Sequence, residues 1–101
     1  SSSAAGVVEK RQREGRLATY ASGDYDSKTR SAFLDLLAVA DDAQRGGLGR
    51  ETLREFERRM AEKGALYLHL ECLTDNDAGN ALYESEGFLE IARHFHWYKK
   101  I

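Results

Sequence analysis

The sequence predicts a mixed α/β (α+β) domain in which a sheet carries helices on its faces. Three observations carry that reading. From Leu48 to Lys63, the residues Leu53, Phe56 and Met60 fall at spacings of three and four among charged neighbours, the pattern of a helix lying on a sheet. The runs "SAFLDLLAVADD" and "ALYLHLEC" read as strands, and the second alternates Leu66, Leu68, Leu70 and Cys72 with Tyr67, His69 and Glu71. Composition agrees, since 42% hydrophobic and 32% charged residues in a chain of 101 describe one soluble globular domain, residues 1–101, with a small core.

Taken in order, "SSSAAG" is a flexible lead-in over residues 1–6 and lacks the basic region and apolar core of a secretory signal. "GVVEKRQREGRLATYAS" holds two short strands around Glu14-Gly15, a hairpin. "SGDYDSKTR" is polar, contains Gly23, and is expected to be a loop. In the strand "SAFLDLLAVADD" the apolar residues occupy both alternation sets, with Phe33, Leu37 and Val39 in one and Ala32, Leu34 and Leu36 in the other. That is the expectation for a strand covered on both faces. The helix that begins at Leu48 closes at Gly64 in the C′ position. "TDNDAGNALYESEG" opens with capping residues and stops at a glycine, so it predicts a shorter second helix, and "FLEIARHFHWYKK" returns to strand.

Fifteen basic residues against seventeen acidic ones give a net charge of −2, so no basic excess argues for nucleic acid or a lipid surface. No apolar run approaches the roughly 20 residues that cross a bilayer. A single cysteine, Cys72, excludes an intramolecular disulfide, and the default location is the cytoplasm. His94 and His96 share a strand face without a carboxylate or cysteine at ligand spacing, so no metal site is expected.

The loop "QRGGLG" (Gln44, Arg45, Gly46, Gly47, Leu48, Gly49) joins the strand to the first helix. Two readings stand. The glycines turn the chain and pack the helix on the sheet, or they bare the unpaired amides of the helix N-terminus to a phosphate. The lysine and hydroxyl pair of a P-loop is absent, because Arg50-Glu51 follows the last glycine, and the spacing is not that of a dinucleotide fingerprint.

In its surroundings the loop resembles the GCN5-related N-acetyltransferase (GNAT) superfamily. The Gln/Arg-x-x-Gly-x-Gly/Ala signature is matched by Gln44, Gly47 and Gly49, with Leu37-Ala38-Val39 upstream. Downstream, Asn76 is followed seven residues later by Tyr83 and then by Gly87-Phe88. "LECLTDN" and "ALYESEGF" are similar to the ribosomal-protein alanine N-acetyltransferase branch. The resemblance implies a mostly antiparallel mixed sheet and an acetyl-CoA cofactor. It implies that backbone amides from Arg45 to Arg50 hold the pyrophosphate and that Leu37, Ala38 and Val39 pair with the pantetheine arm. Asn76 would hydrogen-bond the cofactor or cap its helix, two compatible roles. Tyr83 would be the acid, since a phenol near pKa 10 protonates a departing thiolate, or else it packs between helix and sheet. Glu71 would be the base for a primary amine of a small molecule or peptide, or else an ordinary strand glutamate. Trp97 and Tyr98 line an acceptor pocket or a core.

The chain departs from the family at its start, where the usual opening strand and helices are missing or trimmed. A longer chain, a minimal variant or a homodimer that lends a wall would each account for this. The implied function is therefore an acetyl-CoA-dependent N-acetyltransferase, with a non-catalytic acyl-CoA-binding or assembly module as the alternative.

Overall fold

A computed structural model describes residues 6–41 and 47–101. The chain forms two units, one running to Glu71 and one from Cys72 to Ile101. In the first, strands β1 (Gly6–Arg11), β2 (Leu17–Asp26), β3 (Ser31–Val39) and β4 (Tyr67–His69) make one sheet in the order β1-β2-β3-β4. The first two neighbouring pairs are antiparallel and the last is parallel. Helix α1 (Leu48–Lys63) makes the long connection that a parallel pair requires.

The hairpin forms as expected. Gly15 turns with φ +82°, and its amide donates to the Gln12 carbonyl at 2.9 Å. The polar stretch after Ser22, however, is strand up to Asp26, and only residues 27–30 turn. There the Lys28 amide donates to Asp26 Oδ1 at 2.9 Å, and Arg30 takes φ +58°. Gly23 is a glycine for packing reasons. A Cβ on it would collide with the Phe33 carbonyl oxygen and lie 2.7 Å from Phe56 Cζ. It pairs with Gly6, where a Cβ would lie 2.7 Å from Met60 Cε. The two glycines make a shallow floor into which the largest side chains of α1 settle.

In β3 the register slips by one residue: Ser22 pairs with Leu36 and Gly23 with Leu34, so Asp35 is left over as a bulge. This slip accounts for the apolar residues in both alternation sets. Ala32 and Leu34 before the bulge, and Leu37 and Val39 after it, all lie opposite β2 residues of the set Thr19, Ala21, Gly23 and Tyr25. They therefore share one face, the face on which α1 packs. On the other face Phe33 and Leu36 remain 43% and 49% exposed.

The core lies between α1 and the sheet. Val8, Ala21, Ala32 and Leu34 meet Leu53, Phe56 and Met60, and all seven are buried. Fully burying each large side chain contributes about 1.5–3 kcal/mol. Thr52 and Thr19 are buried in the same layer, and their hydroxyls lie 2.6 Å apart. Gly64 ends α1 at φ +110°, and the Ala65 amide donates to the Met60 carbonyl at 3.0 Å. The solvent face carries the Glu55–Arg59 pair at 3.0 Å together with Arg58, whose Nη1 meets Glu62 at 2.6 Å. Arg58 first and Arg59 second hold the Glu55 carboxyl down to about 2.

Two expected strands are corrected. The run expected over residues 65–72 is strand only from Tyr67 to His69, because β4 pairs with Ser31, Ala32 and Phe33 and no described strand pairs with its continuation. Residues 88–101 contain neither strand nor helix, since no described strand pairs with them, and Leu89, Ile91, Phe95 and Trp97 are exposed. In the second unit the one regular element among the described residues is helix α2 (Asp77–Ser85).

Thr52→Val strands the buried Thr19 hydroxyl and is expected to cost about 1–3 kcal/mol in urea denaturation, with the Thr19→Val/Thr52→Val double variant recovering part of the loss. Because the folded-state pKa of Glu55 is depressed, its stabilisation is present above the ordinary carboxylate range and is lost as pH falls from 4.5 toward about 2. Glu55→Gln is expected to flatten helicity against pH across that window, measured by circular dichroism.

Candidate functional site

The site begins where β3 parts from β4. Pairing between them ends at Phe33 and His69, two residues before the Asp35 bulge, while β3 continues to Val39. Over Leu37, Ala38 and Val39 one edge is held by Ala21, Tyr20 and Thr19 of β2. The Ala40 amide extends the tie by donating to the Ala18 carbonyl at 2.7 Å. The opposite edge of this stretch pairs with no described strand. Extended backbone with an open edge offers amide and carbonyl groups to a ligand that has amides of its own.

At the far end stands the N-terminus of α1. Gln44, Arg45 and Gly46 lie outside the described residues. Gly47 is the N-cap with φ +77°, ψ +4° and no side-chain cap, and its carbonyl accepts from the Glu51 amide at 3.1 Å. Among the described residues nothing lies within 4 Å of where its Cβ would stand, so this glycine is required by φ. Gly49 is required by contact. A Cβ there would lie 3.1 Å from Val39 Cγ2, so the missing side chain lets the first turn sit against the end of β3. Thr52 Oγ1 bonds the Leu48 carbonyl at 2.7 Å and meets Thr19 of β2, which ties that turn down to the sheet. Leu48, Gly49 and Arg50 are partly buried in the first turn. Gly47 and Gly49 therefore do turn and pack the chain, and Gly47 as N-cap offers the leading amides no side-chain cap. Positive partial charge collects at such an end.

Glu71 is exposed and lies two residues beyond β4. In the second unit, Asn76 caps α2, with its Oδ1 accepting from the Gly79 amide at 3.0 Å. Asn80 Nδ2 returns to the carbonyls of Leu73 and Asn76 at 2.8 and 2.9 Å. Tyr83 is partly buried on α2. Burial, with Cys72 adding a smaller effect, pushes its phenol above the usual range. Burial also raises Cys72, against a hydrogen bond from Asn76, and the thiol is partly rather than fully buried.

The structure thus brings together Leu37–Val39 and the first turn of α1, and it gathers Cys72, Asn76 and Tyr83 in the second unit. Sequence reasoning missed Asp35 and Thr52. The signal for Asp35 was present, since the inward apolar positions step from Leu34 to Leu37, three residues where a regular strand allows two. Of the histidines, His69 stacks on Phe33 with ring centroids 5.0 Å apart, while His94 and His96 are exposed. Among the described residues no group of three His, Cys, Asp or Glu side chains could hold a metal ion. No described helix is long and apolar enough to cross a membrane.

A parallel pair that parts two residues before a bulge, with a glycine-capped helix whose first turn sits against the end of the freed strand, defines a class of α/β domain. The model of the acetyltransferase (GNAT) family matches residues 3–88, and the chain belongs to that family. The ribosomal protein bS18-alanine N-acetyltransferase of Escherichia coli strain K12 is 40% identical over 67 residues, which are 66% of this chain and 45% of that relative. The crystal structure of the ribosomal-protein-S18-alanine N-acetyltransferase from Escherichia coli aligns with TM-score 0.74 and 33% identity, covering 85% of this chain and 55% of that one. The aminoglycoside N-acetyltransferase AAC(6')-Iy in complex with CoA shares the fold, with TM-score 0.75 at 17% identity over 89% of this chain and 72% of that chain. The chain spans about half the length of the curated relatives it matches.

Gly47→Ala forces a Cβ into the left-handed region and is expected to cost about 1–2 kcal/mol. Gly49→Ala asks Val39 to give by only a few tenths of an ångström and should cost less. Urea midpoints of the two variants measure the difference.

Proposed function

We propose that this chain is the cofactor-binding part of an N-acetyltransferase that moves the acetyl group of acetyl-CoA to a primary amine by direct attack. The observation that carries the reading is the open edge of Leu37–Val39 running up to the uncapped first turn of α1. The residues suit the group. A pantetheine arm has two amides, which an open strand edge accepts, and its pyrophosphate is an anion, which a helix N-terminus favours by about 0.3–1 kcal/mol per contact. Gln44, Arg45 and Gly46 would complete that cradle with Gly47, Leu48, Gly49 and Arg50, and the family resemblance assigns Asn76 a hydrogen bond to the cofactor. Acetyl-CoA brings an activated thioester to the site.

In the reaction the amine nitrogen bonds the thioester carbonyl carbon, the carbon–sulfur bond breaks, the amine loses a proton and the thiolate gains one. An amide hydrogen near Val39 is placed in our reading as the donor to the carbonyl oxygen as charge develops there. Tyr83 returns a proton to the thiolate, since a phenol is protonated at neutral pH and so has a proton to give. Glu71 takes the proton of the amine, directly or through water. A peptide whose first residue is alanine is our preferred acceptor, because the relatives at 40% and 33% identity carry that specificity in their names. Small-molecule amines come second, since AAC(6')-Iy supports them only through its fold. We place the protein in the cytoplasm, where a lone thiol and a thioester both suit a reducing compartment. Where the acceptor wall lies outside this chain, a second copy or a longer chain would supply it.

Acetyl-CoA at about 100 times its dissociation constant is expected to stabilise the chain by about 2.7 kcal/mol, seen as a thermal shift that Gly47→Asp removes. No shift with wild type would end the reading. Tyr83→Phe is expected to leave acetyl-CoA affinity within about twofold and to lower turnover about 100-fold in a thiol-release assay. Among alanine peptides, free amino acids and aminoglycosides, the alanine peptide is expected to give the highest kcat/KM. Cofactor binding without turnover on any of them would favour the non-catalytic module.

A further inference from the structure

The end of α2 is built in a way that bears on Tyr83. The helix stops at Ser85, and Gly87 takes φ +92°, with nothing among the described residues within 4 Å of where its Cβ would stand. The Gly87 amide donates to the Glu84 carbonyl at 3.1 Å, and the Phe88 amide reaches back to the Tyr83 carbonyl at 3.0 Å. This pair of backward hydrogen bonds is the Schellman stop, which fixes the direction of the chain immediately after the helix. Its consequence here is local. Phe88 is folded back onto the residue whose carbonyl holds it, and the two rings meet edge to face, with centroids 5.8 Å apart at 70°. Both rings are partly buried.

We infer that Phe88 is a positioning residue for the Tyr83 phenol, and that the Gly87 turn exists to deliver its ring there. The inference rests on the reading of Tyr83 as the acid. In a helix a tyrosine has two favoured χ1 settings, which send its hydroxyl to different places. An edge-to-face neighbour selects one of them, because the contact is directional as well as apolar. The Tyr83 carbonyl and ring are thus both held by one residue, through the Phe88 amide and ring respectively. An acid that must meet a thiolate within hydrogen-bond distance gains from this, since small displacements of a reacting group cost large factors in rate. A helix stop of this type commonly carries an apolar contact at the same two positions, so a purely structural role predicts that any apolar side chain of similar bulk would serve.

The test uses the full chain with Phe88→Leu and Phe88→Met, which keep apolar bulk but no ring, and Phe88→Tyr, which keeps the ring edge. With acetyl-CoA and an alanine-starting peptide, Leu and Met are expected to lower kcat about tenfold, with KM for acetyl-CoA within about twofold. Tyr is expected to restore kcat to within about twofold. In a Tyr83→Phe background the same changes should have no further effect, because the hydroxyl they misplace is gone. Nuclear magnetic resonance of ring-labelled tyrosine, which needs no turnover, should report averaging of the Tyr83 ring in the Leu and Met variants and a fixed ring in the Tyr variant. Equal losses in both backgrounds, or an unchanged Tyr83 ring signal, overturn the inference, as does a turnover loss that tracks only a falling folded fraction. Wild-type turnover by Tyr83→Phe alone would instead reject Tyr83 as the acid.

Discussion

Pairing between β3 and β4 ends at Phe33 and His69, and the candidate site is built on the gap that opens beyond those two residues. A strand in the middle of a sheet has no backbone groups to offer a ligand, because both of its edges are committed. The extra residue at Asp35 lies two residues beyond the last parallel pair, and the antiparallel pairing with β2 continues from Leu36 to Val39. One edge therefore stays rigid while the other opens. The open backbone groups belong to a strand already held by its neighbour, so a ligand that pairs with them does not have to order the chain first.

The first turn of α1 is held against the same stretch by two unlike contacts. Gly49 gives up a side chain so that backbone and Val39 approach closely, and Thr52 commits a buried hydroxyl to the Leu48 carbonyl and Thr19. The core beneath them, with Phe56 over Gly23 and Met60 over Gly6, sets the height of the helix over the sheet. Position at the site is thus inherited from packing well away from it. The charged ladder of Glu55, Arg58, Arg59 and Glu62 faces solvent and keeps the helix soluble and regular.

The second unit concentrates its polar chemistry in few residues. Asn76 caps α2 through Oδ1 and also touches the Cys72 thiol, whose own effect on the Tyr83 phenol is secondary to burial. Burial disfavours the ionised phenol, so the surroundings of Tyr83 make it hold its proton more tightly than a solvated tyrosine would.

Much of this was legible in the residues alone. Leu53, Phe56 and Met60 announced α1, Gly64 its end, and Asn76 the start of α2, because each of these signals is local: a spacing of three or four, a left-handed cap, an oxygen beside an orphan amide. Gln44, Gly47 and Gly49, with Leu37-Ala38-Val39 upstream and Asn76, Tyr83 and Gly87-Phe88 downstream, together pointed to the acetyltransferase family that the chain belongs to. What the residues did not disclose depends on partners distant in sequence. Ser22 to Asp26 looked like a loop because its exposed positions are polar, and its strand character comes from pairing with residues 31–36. Strands were expected over 65–72, on its alternation, and over 88–100, but a strand forms only where another strand's backbone is at hand. The sequence by itself determined the helices, the caps and the family. Tertiary structure decided where β3 loses its partner, since a hydrogen-bond register between segments far apart in the chain is fixed by their packing together and is written in neither segment alone.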